Sequence, residues 1–394
     1  MAEHVGIPER IVIEGLPQFI GKHCETSALK KVLDYHGLSL SEEMLFGLGG
    51  GVGFIYWYMK LMLSPFIGTR YGKVADFLTG ICQRIGAEAT VVETSSSTKA
   101  HDELKALLYS GEPAICWVDM PYLPYLYIPE VAHFGGHAVV VFGLDEEQDK
   151  VNILDRGRMP VTVSISDLQK ARGSKFPPYP PKNRVLKIRL PPRIPNLEGR
   201  IKEGIRDCCK NMLNPPIKNI GLEGMQKWAN IIAEWPRQFK GLYLNGCLFG
   251  TFINIETGGT GGSAFRPMYA EFLEEASQII SEPDLRDVSE MFRESGKMWS
   301  EIAIGVLPDS RPALKRTREL LLEKNRIFEE QPADFLKLMK KINDELEFLT
   351  TRIDDEVGVD LQKAPQFLVD VRQSILKCYG LEKTAFQALD NIIK

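Results

Sequence analysis

The chain has 394 residues and a formal net charge of −4, with 44% hydrophobic and 25% charged residues. That charge gives no electrostatic basis for binding nucleic acid or an anionic membrane surface, and no apolar run reaches the roughly 18 residues of a membrane span. The length exceeds one ordinary core, so two domains are expected, and the opening MAEHVGIPER has no apolar stretch that would read as a secretion signal.

In chain order, Cys24 to Tyr35 (CETSALKKVLDY) predicts a helix with Ala28, Leu29, Val32 and Leu33 on one face, followed by Gly37 where a helix-terminating glycine belongs. Ser41 opens a second helix, SEEMLF, as its cap, with acids in the first turn. Tyr71 to Gly86 reads as a third. Strands are expected at Thr90–Glu93, Pro113–Val118, His137–Gly143, Val151–Leu154, Val161–Ile165 and Val185–Leu190, all rich in Val and Ile. Turn signals at intervals of about ten residues between 137 and 165 suggest an antiparallel meander. Seven prolines fall within 173–196, so Val185–Leu190 is expected to return as an edge strand. Beyond Pro195 helical periods dominate, at 197–212, 221–239, 265–281, 284–303, 310–329, 332–352 and 361–392. A glycine-rich island at 241–263 interrupts them and is expected to be non-helical. The chain thus reads as an α+β domain with an antiparallel sheet over 1–192 and a mainly α-helical domain over 193–394 carrying the insert 241–263.

Seven cysteines (24, 82, 116, 208, 209, 247 and 378) are scattered, with no CxxC and no Cys/His pair at zinc-ligand spacing. They read as free thiols of a cytoplasmic protein, and no metal or cofactor is expected. Cys24 differs from the rest because a periodic helix begins at it. A thiol there meets the positive end of the helix dipole and unpaired N–H groups, both of which favour the thiolate. The competing reading is a small buried hydrophobe.

Two other residues favour the catalytic reading. His137, in FGGHAVVVFGLD, starts an apolar strand after two glycines that leave room beside it. Asp155, in VNILDRG, ends the next strand. If those strands pair through the acidic turn 144–150, Asp155 comes near His137, accepts its imidazole N–H and fixes the tautomer that faces the thiol. Taken singly, each could be a core histidine or a turn aspartate. Cys24 as nucleophile, His137 as base and Asp155 as orienter, in that order on helix, strand and neighbouring strand, resemble the papain-type arrangement and imply a papain-like cysteine-peptidase fold. Gln18, six residues before Cys24, matches the separation at which papain-like enzymes place an oxyanion-hole glutamine; otherwise it is an ordinary loop residue. His23 is expected to point away from the nucleophile and His133 to line the entrance.

The segments His23-Cys24-Glu25-Thr26-Ser27-Ala28-Leu29, Leu38-Ser39-Leu40-Ser41-Glu42 and Gly47-Leu48-Gly49-Gly50-Gly51, with Phe54 and Tyr56, resemble the family named for butirosin biosynthesis protein H. Gly258-Gly259-Thr260-Gly261-Gly262, with Phe265, Arg266 and Tyr269, is similar to the helical second domain of that family. The resemblance implies an acyltransferase that moves an acyl or aminoacyl group from a carrier-protein phosphopantetheine thioester to an amine. An acyl carrier protein and a small amine acceptor are the implied partners, and phosphopantetheine enters only as part of the donor. The first domain alone is also similar to the leader peptidases of bacteriocin exporters. A cysteine peptidase or amidohydrolase with the same triad, and a non-catalytic binding protein, therefore remain alternatives. The oligomeric state is open.

GLGGGVG at 47–53 misses the GxGxxG dinucleotide fingerprint, since Val52 and Phe54 stand where the third glycine should be. Gly49, Gly50 and Gly51 are expected either to line the cleft beside an acyl or pantetheine arm or to form a tight structural turn. The following FIYWYMKLML reads as core. Thr260 and Arg266, ahead of a helix with Pro267 at its start, are expected either to present a phosphate site or to lie in a loop with Arg266 paired to a local acid such as Glu271 or Glu275.

Overall fold

In a computed structural model the residues described are 10–59, 62, 64–70, 72–352 and 364–394. The readings of residues 1–9, of Tyr71 as a helix start and of 361–363 within the last helix lie outside them. The strands in chain order are β1 (Arg10–Val12), β2 (Ile55–Trp57), β3 (Phe66–Gly68), β4 (Glu88–Val92), β5 (Ala114–Val118), β6 (His137–Asp145), β7 (Lys150–Leu154), β8 (Val161–Val163) and β9 (Val185–Arg189). The chain forms two units, one of Met1–Glu42, Val74–Ile194 and Ile327–Lys340, the other of Glu43–Lys73, Pro195–Arg326 and Lys341–Lys394. The expected boundary near 192 is therefore only one of several crossings: segment 43–73 clusters with the helical unit, and 327–340 returns to the sheet.

The first unit is α+β. Its strands run β4-β9-β5-β6-β7-β8, antiparallel at every pairing, with β1 alongside the far end of β6. β5 is buried along its whole length, consistent with continuous apolar side chains on both faces. Strand β9 pairs with β4 on one side and β5 on the other, so the edge position expected for it is corrected. The prolines that suggested an edge lie outside the paired residues, where they cost no ladder bonds. A register shift between Val141 and Gly143 lets β6 pair with β7 over its length.

Four complete helices accompany the sheet: α1 (Cys24–Tyr35), α3 (Asp76–Arg84), α4 (Ser97–Tyr109) and α5 (Ile165–Gly173), with α2 (Glu42–Leu48) starting at the edge of the unit. Helices α4 and α5 were not anticipated. Each opens on a serine cap: Ser96 accepts the Lys99 N–H at 3.2 Å, and Ser164 accepts the Asp167 N–H at 2.9 Å. Ile165, read as strand, is the first residue of α5.

The second unit is mainly helical, with α6 (Leu197–Leu213), α7 (Gly221–Ile231), α8 (Trp235–Gln238), α9 (Leu242–Phe252), α10 (Arg266–Ile279), α11 (Leu285–Val306), most of α12 (Pro312–Glu330) and α13 (Phe335–Thr350), and the C-terminal helix Gln366–Ile393. The β2–β3 hairpin joins them. The island at 241–263 is largely helical, which corrects the expectation. Leu244, Cys247, Leu248 and Phe252 bury on α9, and that burial outweighs the low helix propensity of Gly246 and Gly250. Five residues in π-helical geometry, Ile253–Thr257, follow. No described helix is long and apolar enough to cross a membrane.

Candidate active site

The loop entering α1 is fixed from two sides. The Arg156 carbonyl accepts the Gly21 N–H at 2.7 Å, and the Glu42 carboxylate accepts the N–H groups of Lys22 and His23, the latter at 2.7 Å, together with the Thr26 hydroxyl at 2.8 Å. A side chain at Gly21 would put its Cβ 2.1 Å from Ser27 Oγ, so only glycine permits this approach. His23 takes the extended cap conformation and the helix starts at Cys24. Among the described residues nothing accepts the Cys24 N–H, which leaves an oriented donor beside the thiol.

Cys24 is the one cysteine that retains exposure; the other six are buried. Burial pushes the thiols of Cys82 and Cys208 up to about 12 and raises those of Cys116, Cys209, Cys247 and Cys378 as well, so those thiols stay protonated and unreactive.

His137 opens β6 and Asp155 follows β7. Their strands pair, Val140 opposite Leu154, and the two side chains meet with His137 Nε2 2.9 Å from Asp155 Oδ2. Cys24 lies near enough to the imidazole to help hold its proton. With Nε2 occupied by the carboxylate, Nδ1 is the nitrogen left for the thiol. Asp155 is buried and accepts two further bonds, from Tyr125 OH at 2.8 Å and from the Arg156 N–H at 2.7 Å. Burial alone would lower the His137 pKa, but the charge and hydrogen bond of Asp155, with the Cys24 contact, outweigh it and raise it to about 10. Burial likewise opposes ionisation of Asp155, yet the charge of His137, its bond and Arg156 hold the carboxyl down at about 2.

Helix α1 also carries a fully buried lysine that sequence reasoning did not single out. Lys31 donates to Ser27 Oγ at 2.6 Å, and its ammonium sits 4.0 Å from the centroid of the Phe19 ring. Burial lowers its pKa to about 8. It ties Phe19, the residue after Gln18, to α1. Gln18 itself is exposed in the same loop. Tyr125, in the irregular stretch MPYLPYLYIP, gave no periodic signal that could have identified it. Glu42 read as a first-turn acid of its own helix, and nothing in its spacing indicated that it reaches back to residues 22–26.

The other expected site residues lie elsewhere. His23 is buried beside Phe77, with Nδ1 3.3 Å from Thr26 Oγ1. The two glycines before His137 do not make room for it: a Cβ at Gly135 would meet the Tyr179 carbonyl at 2.1 Å, and one at Gly136 the Phe134 ring at 3.1 Å. Gly49, Gly50 and Gly51 end α2 in the helical unit. The Gly51 N–H returns to the Phe46 carbonyl at 3.0 Å, and a Cβ there would strike the Tyr269 ring at 2.3 Å. Glycine is required by this turn and its packing, the structural alternative among the two readings.

Thr260 is buried and bonds the Ile255 carbonyl at 2.9 Å. Arg266 has no exposed surface; Nε and Nη2 bind the Glu382 carboxylate at 2.7 and 2.9 Å, and Nη1 binds the Ala264 carbonyl at 2.7 Å. A buried guanidinium already neutralised by a carboxylate is not available to a phosphate, so the phosphate site expected at Thr260 and Arg266 is corrected. Its partner is also not the local acid foreseen but one from the C-terminal helix. Among the described residues no group of three or more His, Cys, Asp or Glu could hold a metal ion.

Comparison with known families bears on the same residues. Residues 166–327 match a domain of unknown function, DUF4872, and residues 23–156 match the family described as butirosin biosynthesis protein H, N-terminal. No curated protein matches the chain. The N-terminal match opens at His23 and closes at Arg156, so it contains Cys24, His137 and Asp155 and leaves Gln18 outside. Over residues 23–156 the chain is therefore similar to the N-terminal part of the butirosin biosynthesis protein H family.

Proposed function

We propose that the chain is a cysteine-dependent acyltransferase with a papain-like catalytic unit. Cys24 takes an acyl or aminoacyl group from a thioester donor, and a small amine resolves the acyl-enzyme. The observation that carries this reading is the hydrogen-bonded His137–Asp155 pair, with the one cysteine that keeps exposure, Cys24, near its imidazole. Nucleophile at a helix start, imidazole at a strand start and carboxylate after the neighbouring antiparallel strand follow the papain-like order. The family supports a biosynthetic acyltransferase role.

With its pKa raised to about 10, His137 keeps its proton at neutral pH and stands near the Cys24 sulfur, which acts as the nucleophile. The thiolate attacks the thioester carbonyl. The Cys24 N–H, joined by the Gln18 amide, stabilises the oxyanion. Collapse breaks the donor C–S bond, and the departing sulfur takes the His137 proton. His137, now neutral and strongly basic, receives a proton as the acceptor amine displaces the acyl group. Phosphopantetheine on an acyl carrier protein suits the donor side, because thiol–thioester exchange needs no further activation.

Incubation with acyl thioesters followed by intact-protein mass spectrometry tests the proposal. A one-acyl adduct on the wild-type chain, absent from Cys24→Ala and discharged faster by amines than by water, is the expected result. Discharge by water at the same rate with or without amine would identify a hydrolase, and no adduct with any thioester would remove the acyl-enzyme.

A further inference from the structure

The connection between β5 and β6 holds a second histidine–aspartate pair that the chemistry at Cys24 leaves unused. Asp119 directly follows β5 and is only 1% exposed. Its Oδ2 lies 2.8 Å from His133 Nδ1 and accepts the Ser174 hydroxyl at 2.6 Å, and its Oδ1 accepts the Phe134 N–H at 2.8 Å. The Asp119 N–H is bound to the Ala171 carbonyl at 2.8 Å, so the carboxylate is anchored at both ends of its residue. The His133 ring lies flat on Phe176, with centroids 3.5 Å apart and planes 7° from parallel, and Tyr122 stands 6.0 Å away. One hydrogen bond and one stack therefore fix this imidazole. Its side chain keeps 15% exposure, and Nε2 has no partner among the described residues.

A purely structural account explains Asp119 but not His133. Ser174 and Phe134 already supply one donor to each carboxylate oxygen, so the histidine is not needed to satisfy the buried charge. What the carboxylate does for the histidine is chemical: holding the proton on Nδ1 turns the Nε2 lone pair outward as an acceptor. The location is also specific. Val118 pairs with His137 across β5 and β6, so Asp119 and His137 occupy the same end of adjacent strands. The span from His133 to His137 is held stiffly, by the Tyr179 carbonyl against Gly135 and by the Met120 N–H bonded to the Phe134 carbonyl at 3.3 Å.

We propose that His133, oriented by Asp119, is the base that takes a proton from the incoming acceptor, a primary amine that arrives as its ammonium ion. The inference rests on the acyl-transfer reading and deepens it. The ammonium gives one proton to His133 Nε2, and the free amine attacks the acyl carbon of acyl-Cys24. A C–N bond forms and the C–S bond breaks, its electron pair returning to the Cys24 sulfur. The second N–H proton passes to neutral His137, which restores the thiolate–imidazolium pair, and His133 then releases its proton to solvent. Two histidines thus divide the work, His137 serving the thiol and His133 the acceptor.

His133→Asn tests this, because the asparagine amide can still donate to Asp119 and preserve the loop; His133→Gln serves as the second variant should the first fold poorly. Cys24 is loaded with acetyl from acetyl-N-acetylcysteamine, and single-turnover discharge is followed with 2-aminoethanol, which is protonated at neutral pH, and with hydroxylamine, which is not. The expected result is Cys24 acylation within about 2-fold of wild type and discharge to 2-aminoethanol slowed on the order of 10²-fold, with hydroxylamine discharge nearly unchanged. Ser174→Ala, which removes only a structural donor, should leave both discharge rates within a few-fold. Equal discharge by 2-aminoethanol in variant and wild type would overturn the proposal, as would equal losses with both nucleophiles, which mark a structural role. Failure of the wild-type chain to acylate would overturn the acyl-transfer reading and this inference with it.

Discussion

Asp155 gathers three hydrogen bonds on two oxygens, from an imidazole, a phenol and a backbone N–H. If the carboxylate becomes an amide, its NH2 replaces one acceptor oxygen, so either the Arg156 N–H or both the Tyr125 hydroxyl and the imidazole N–H lose their acceptor, and the charge that holds the imidazole proton is gone. Asp155→Asn is therefore expected to keep Cys24 accessible to alkylation while turnover falls by roughly 10²–10⁴-fold, the scale of orienting-carboxylate losses in triads. Unchanged turnover would mean another group orients His137. The pair also sets a pH signature. His137 has a pKa raised in the folded chain from 6.5 to about 10, so its contribution to stability is complete below about 6.5 and is lost as pH climbs toward 10. Asp155 is lowered from 3.8 to about 2, so its contribution is present above 3.8 and is lost as pH falls toward 2. Thermal unfolding of wild type and Asp155→Asn should differ most between those limits and converge outside them. A constant difference across pH 2 to 10 would separate the stability effect from this ionisation.

At the scale of elements, the parts of the site that the sequence made legible are those written in regular periods. Helix α1 announces itself by its apolar face and closing glycine, and β6 and β7 by their Val and Ile content and acidic turn. The parts that were not legible depend on long-range contacts or on caps. Ser96 and Ser164 carried the cap signal for α4 and α5, but strand-like residues beside Ser164 masked the second. Gly246 and Gly250 lowered the apparent helicity of α9, whose stability comes from burial. Gly21 looked like any loop glycine, and only the folded loop reveals that Ser27 leaves it no room. Gly21→Ala is expected to destabilise the chain by about 1–3 kcal/mol and to lower turnover by moving the entry to α1. Gly80→Ala, in α3 where an added Cβ meets nothing within 4 Å, should instead be neutral or stabilising by about 0.5–1 kcal/mol. Chemical denaturation of both variants checks the contrast, and equal stabilities would refute it.

Across the whole molecule, the two units invest their buried charge differently. The first places the buried pair His137 and Asp155 near Cys24. The second uses Arg266 and Glu382 as a structural centre, with Ser295 Oγ and Trp299 Nε1 each donating to Glu382 at 2.7 Å and the guanidinium 4.7 Å from the Trp299 ring. Arg266→Ala leaves Glu382 charged and buried, and a loss of about 3–5 kcal/mol is expected in urea denaturation. Below the variant's transition, KM for thioester donors with and without a terminal phosphate should be unaltered. A selective rise with the phosphate-bearing donor, at unchanged stability, would return Arg266 to the binding site.

The last turn of α12 has a bearing on how the site comes into being. Phe328 stacks over Tyr125 with centroids 6.4 Å apart and lies 5.2 Å from the Arg156 guanidinium carbon, and the Glu329 carbonyl accepts the Arg158 N–H at 2.9 Å. These residues cover the two neighbours that hold Asp155 in place, yet they are encoded far downstream of it. On a translating ribosome adding about 5–20 residues per second, even Asp155, the last of Cys24, His137 and Asp155 to be made, is synthesised roughly nine to thirty-four seconds before their cover. A nascent chain arrested ahead of residue 327 possesses every atom of the thiol–imidazole–carboxylate line but lacks the cap on its turn. A fragment ending at residue 194 lacks this cover and is expected to carry a Cys24 whose alkylation rate falls short of the full chain's.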